Sequence, residues 1–223
     1  MVEGAGVSGF PPQVGHDLEG WVLWWADLAT LGGAHDALAA LRAEVARRAR
    51  ASHTIAALAE HPVAAAVRRL FRQAGCDPTR HRPSSEALLR RVLKGEELPA
   101  IHPLVDLNNC LSVSLAVPSC VMAHGSVTPP LVLRAGRPGD AMLSMRGPYD
   151  LEGKPLLADA SGPFGTPITD GERVRVLPGT ARAWLVAYLP GRVVDAACAA
   201  DALAGLLREA PVAELKASAA THD

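Results

Sequence analysis

The chain has 223 residues, enough for one full core, or a core with a helical appendage, and short for two large domains. Apolar residues make up 49% and charged residues 20%, with no run near the roughly 20 apolar residues of a membrane-spanning helix, so a soluble chain with no membrane partner is expected. The net charge of −1 conceals an asymmetry: residues 42–94 hold twelve basic and four acidic side chains, the rest ten and nineteen, and no Lys or Arg precedes Arg42. Such a basic segment is either the footprint of a phosphate-binding surface or the solvated face of Arg-rich helices. The first residues lack the basic start of a secretory signal. Cys76, Cys110, Cys120 and Cys198 are scattered with no Cys-x-x-Cys pair, as expected of reduced thiols. Both features point to the cytoplasm.

Residues 1–19 are rich in Gly and Pro and are expected to fray. Gly4 to Gly9 spell G-x-G-x-x-G, but no strand precedes them and no helix pattern follows, so a dinucleotide loop is set aside. Trp21 to Trp25 is aromatic and β-branched enough for a strand. Ala37 to Ala51 places Leu38, Leu41 and Val45 at helical spacing behind Asp36 as N-cap. A second helix starts at Pro62 and stops at Gly75, turning Val63, Val67, Leu70 and Phe71 inward and Arg68, Arg69 and Arg72 outward. Ser84 to Lys94 forms a third, with Glu86 near its positive end and Arg90, Arg91 and Lys94 near its negative end. After Pro99, short apolar runs at 111–117, 131–134, 156–159, 173–177 and 183–189 predict strands. Asp195 to Leu207 predicts a closing helix, and 216–223 a disordered tail. The predicted class is α+β, a mixed β-sheet flanked by helices.

His102, Asp106 and Cys110 stand at four-residue spacing, with Cys120 and His124 further on, a set that could be imagined around a metal ion. Pro103 and the Asn108-Asn109 pair argue against a continuous helix there, and neither a metal nor another cofactor is expected. Ser112, Ser114 and Ser119 have no Gly-x-Ser-x-Gly elbow, which removes the usual signature of a serine hydrolase.

Four stretches carry a resemblance. Arg82-Pro83-Ser84-Ser85-Glu86-Ala87-Leu88-Leu89-Arg90-Arg91, then Leu98-Pro99, then Ile101-His102-Pro103-Leu104-Val105-Asp106-Leu107-Asn108-Asn109 resemble the opening of the B3/B4 tRNA-editing domain of bacterial phenylalanyl-tRNA synthetase beta subunits. The last is similar to the pattern Ile-Asn-Pro-Val-Val-Asp-Ile-Thr-Asn, with His102 for its first Asn and Asn108 for its Thr. Ser161-Gly162-Pro163-Phe164-Gly165-Thr166-Pro167-Ile168-Thr169-Asp170 resembles the later Gly-rich segment, in a form associated with relatives that stand free of a synthetase. The expected organisation is a single domain: a helix-rich part (1–79), an editing-like core (80–190), a closing helix (191–215) and a tail (216–223).

The resemblance implies a pocket that takes the aminoacyl end of a mischarged tRNA and hydrolyses its ester in trans. Carried over by position, Asp170 stands for an editing Glu and Asn108 for a pocket Thr, the catalytic pair. Asn109, His102, Cys120, Gly162, Pro163, Phe164 and Gly165 would bind substrate, the glycines giving backbone N–H groups close access to an oxyanion. The tRNA would lie on Arg68, Arg69, Arg72, Arg90 and Arg91. The family has a His where this chain has Cys120, which puts transfer of the mechanism in question. Two other readings stay open: an RNA-binding module without catalysis, and an enzyme that uses the pocket for an amino-acid-like substrate. The Gly/Pro/Asp cluster also reads simply as a turn.

Overall fold

Trp21, Leu23 and Trp25 alternate with Val22, Trp24 and Ala26, and both sets are apolar, the pattern of a strand covered on two faces. In the computed structural model, which describes residues 9–221, they form β2 (Trp21–Thr30) inside an antiparallel sheet. Its other strands are β3 (Ser119–Ala123), β9 (Arg182–Pro190) and β10 (Ala213–Thr221), in the order β10-β2-β9-β3. Four helices cover one face: α1 (His35–Ser52), α3 (Ser84–Leu93), α4 (Pro103–Leu115) and α5 (Ala196–Glu209). Their Leu41, Val45, Leu89, Leu107, Leu111 and Leu203 pack with Trp24, Leu28, Leu185 and Ala187 of the sheet.

The opposite face presents Leu23, Trp25, Cys120, Met122, Val186 and Tyr188. It is covered by α2 (Pro62–Gln73) and by a second, mixed sheet, ordered β1-β4-β7-β8. That sheet holds β1 (Val14–His16), β4 (Leu131–Ala135), β7 (Pro155–Asp159) and β8 (Gly162–Gly165), β1 running parallel to β4. A hairpin, β5 (Ala141–Ser144) and β6 (Gly147–Asp150), stands beside it. The fold is α+β, with mixed sheet flanked by helices. Among the described residues no helix is long and apolar enough to cross a membrane.

The predicted helices are present, and several boundaries and elements differ. Asp36 is not the cap of α1: Ala34 holds that position in the left-handed region, with no side-chain bond. Gly75, at φ +89°, ends α2 as predicted, with Cys76 N–H donating to Phe71 O and Gly75 N–H to Arg72 O. Residues 111–117 are not a strand. The helix α4 runs from Pro103 through the two asparagines to Leu115, because His102 Nδ1 accepts from Leu104 N–H as N-cap and Pro103 needs no partner in the first turn. Residues 173–177 form no strand either, but a short 3-10 turn, Glu172–Val174. Residues 216–221 of the predicted tail belong to β10, whose Ala, Ser and Thr pair along β2 and lack the apolar run that signals a strand; 222–223 lie outside the described residues. Residues 4–8 of the G-x-G-x-x-G spelling lie outside the described residues.

Candidate functional site: a buried carboxylate between the sheets

The site grows from one turn. Strand β8 delivers Phe164 and Gly165 into the space between the sheets, and the chain doubles back so that Gly165 bridges to Asp170. Thr166, 2% exposed, fixes the return: its Oγ1 accepts from Ile168 N–H and Thr169 N–H, and its own N–H donates to Thr169 O. Asp170 is half-buried, its carboxyl reaching Cys120 of β3, whose thiol donates a hydrogen bond to it. Burial raises the Asp170 pKa to about 6, and the bond from Cys120 offsets only part of that rise. The Cys120 thiol is pushed well above its ordinary value by burial and then by the neighbouring carboxylate, so it stays protonated and serves as a donor.

Tyr188 completes the cluster. It lies two residues beyond Val186, the partner of Cys120, and so faces the same side of the sheet. Its hydroxyl is buried, has no hydrogen-bond partner among the described residues, and is held protonated by burial with Cys120 and Asp170 nearby. A Cβ placed on Gly165 would sit 3.8 Å from Asp170 Oδ1 and 3.9 Å from the Tyr188 hydroxyl, so both oxygens lie beside that glycine. Sequence reading missed Tyr188. Its signal was a lone hydroxyl in the inward register of Trp184 and Val186.

The residues expected to share one pocket fall into two groups. Cys120, Phe164, Gly165 and Asp170 meet between the sheets, with Gly162 and Pro163 earlier on β8. Gly162 O accepts from Arg173, whose guanidinium also covers the Phe164 ring. Asn108 belongs to α4 on the far side of β3. Its Nδ2 donates to Ser119 O at 3.4 Å, and Ser119 Oγ donates to Asn108 O. Successive strand residues point to opposite faces, so Ser119 and Cys120 separate Asn108 from Asp170. His102 caps the start of α4 and Asn109 follows Asn108 in its middle, so both belong to that helix and not to the turn that carries Asp170. Asp106 accepts from Ile101 N–H, His102 N–H and Arg42, holding the start of α4.

The arginines divide as well. Arg68 does not point outward: with Arg90 and Arg82 it converges on Glu86, which is 2% exposed. Arg91 pairs with Glu96 and donates to Glu97 O. Arg69 and Arg72 face solvent, and Arg69 lines a shallow cleft with Gln73 and Arg192.

A two-sheet α+β core with a raised carboxyl between its layers defines the class, and comparison with known proteins supplies the family. The B3/4 domain family model matches residues 66–200, more than half of the chain, and the chain belongs to that family. Among solved structures, the chain is similar to an N-terminal fragment of the phenylalanyl-tRNA synthetase beta subunit from Pyrococcus horikoshii, at 13% identity and a TM-score of 0.44. That match covers 90% of this chain and 50% of the fragment, so the chain spans half the fragment's length. No curated protein matches the chain.

Proposed function

We propose that this chain hydrolyses the ester of mischarged aminoacyl-tRNA in trans, with Asp170 as the general base. The observation that carries the reading is the Asp170 carboxyl, raised to about 6 by burial and placed beside Gly165 of the glycine-rich turn. A base of that pKa is ionised at neutral pH yet basic enough to take a proton from water, which suits attack on an ester already activated by its ribose oxygen. Cys120 replaces the family imidazole with an S–H donor that orients the carboxylate. Hydrolysis so arranged needs no thiolate. The test is a deacylation screen against a panel of mischarged tRNAs. Release of at least one amino acid well above the spontaneous rate supports the proposal, and a flat panel overturns it in favour of a module that only binds RNA.

Cys120→Ala removes the hydrogen bond that lowers the Asp170 pKa. The inflection in the pH–rate profile is therefore expected to move upward from about 6. Total loss of activity with no such shift would instead make the thiol the nucleophile.

The tRNA body is proposed to rest on the solvent-facing arginines of α2. Arg69 and Arg72 have free faces, whereas Arg68 and Arg90 are engaged by Glu86. Arg69→Ala with Arg72→Ala is expected to weaken tRNA binding and flatten its dependence on log salt by roughly 0.7–0.9 per lost phosphate contact. An unchanged slope in a filter-binding titration would leave these arginines as a solvated face.

A further inference from the structure

We infer that the Tyr188 hydroxyl is a second catalytic group, donating to the carbonyl oxygen of the scissile ester as negative charge develops on it; the inference rests on the hydrolase reading above. Tyr188 is 1% exposed, and its hydroxyl is buried with no partner among the described residues. Leaving a buried hydroxyl unbonded costs about 1–3 kcal/mol, a cost that an acceptor on a ligand would remove. The neighbours of the hydroxyl suggest what it would bond. A Cβ built on Gly165 would lie 3.8 Å from Asp170 Oδ1 and 3.9 Å from the Tyr188 hydroxyl, so both oxygens lie beside that glycine, and no bond joins them. An acceptor and an unpartnered donor beside the same glycine fit a reacting unit with a proton to lose at one end and an oxygen to stabilise at the other.

The step balances. A water oxygen bonds to the ester carbonyl carbon while its proton passes to the Asp170 carboxylate. The carbonyl π pair moves onto oxygen, where the Tyr188 O–H donates to it without transferring its proton. Collapse of the tetrahedral intermediate restores the carbonyl and breaks the bond to the ribose oxygen, which takes the proton back from the Asp170 carboxyl. The products are the free amino acid and the terminal hydroxyl of the tRNA. A hydroxyl that stays protonated across the working range remains a donor throughout, as burial ensures here.

The experiment is single-turnover and steady-state deacylation by Tyr188→Phe, using the mischarged tRNA that the wild type cleaves fastest. The change deletes one oxygen that has no partner, so the melting temperature should hold or rise. The expected result is a fall in kcat of about 10² to 10³-fold with KM changed less than about threefold and the pH inflection kept, the pattern of a donor that acts in the transition state. A kcat within about threefold of wild type overturns the inference while leaving Asp170 as base. Gly165→Ala gives an independent check, because its methyl would meet both oxygens at ordinary contact distance and take the place beside them. It should fold normally and lose at least about tenfold in rate, since a group misplaced by an ångström costs that much or more. A fully active Gly165→Ala overturns the placement of the reaction there, and a wild type inactive on every ester overturns the hydrolase reading and this inference together.

Discussion

Asp170→Asn is expected to lower deacylation by about 10² to 10⁴-fold and, at pH 8, to raise the melting temperature. The two effects have one cause. In the folded chain the carboxyl titrates at about 6, above the ordinary 3.8, because burial penalises its charge. Between about pH 4 and pH 6 the folded protein therefore holds a proton that the unfolded chain has released. Stability contributed by the neutral form is present below that window and is lost as pH rises through it. Above pH 6 the fold carries the cost of a buried anion, about 1–3 kcal/mol, and the residue's partial exposure holds the figure to the lower end. The amide has similar volume and no charge, so the variant escapes the penalty at pH 8 and gains nothing at pH 3.5. For a chain of this length the gain is roughly 2–8 °C. Melting curves at the two pH values, with single-turnover deacylation at pH 7.5, read both effects. A variant that melts lower at pH 8 would make Asp170 a structural acceptor, and one that keeps full activity would rule out its proposed role as base. In the wild type, log kcat should climb with unit slope to about pH 6 and then level.

Helical periodicity made the helix-rich half of the chain legible. Leu38, Leu41 and Val45 mark α1, Pro62 and Gly75 bracket α2, and Ser84 opens α3, each by local chemistry that tertiary contacts leave intact. The helix α4 was obscured because Pro103 and two asparagines read as breakers, whereas Pro103 sits at the tolerated first position and Asn108 is held by a contact with Ser119 eleven residues away. The strand β10 was hidden for the opposite reason. Its Ala-rich stretch has little strand preference, and pairing with β2 alone decides its conformation.

The site was half legible. The run from Gly162 to Asp170 stood out by its glycines and its carboxylate, and Cys120 by its position in the resemblance. Their meeting depends on β3 and β8 facing one another across two sheets, which no local pattern encodes. Asn108 shows the reverse error: it is near Cys120 in sequence, and one residue of strand alternation puts the two on opposite faces. Tyr188 could be identified only once its strand register was known.

Glu86→Ala is expected to cost about 3 kcal/mol of stability, roughly 6–12 °C in melting temperature, and to lower activity with it. Glu86 sits in the first turn of α3, where the helix dipole favours a carboxylate, and is 2% exposed. Arg68 of α2 bonds it at 2.7 Å and Arg90 at 2.9 Å, with Arg82 at 3.5 Å. Arg68 is itself only 13% exposed, so deleting the carboxylate leaves a largely buried guanidinium facing two other cations. The helix α2 packs on the inter-sheet side and α3 on the helical side, so this cluster ties the two layers together around the sheet edge. The link to chemistry is one backbone bond: Ser84 N–H, at the start of α3, donates to Pro167 O at 2.9 Å, three residues before Asp170. If Asp170 is the proposed base, loosening that helix end frees its turn, so kcat should fall while the tRNA affinity proposed for Arg69 and Arg72 holds. Glu86→Gln, which retains an acceptor, should recover part of both losses. A drop of under about 2 °C in Glu86→Ala would show that the cluster anchors little.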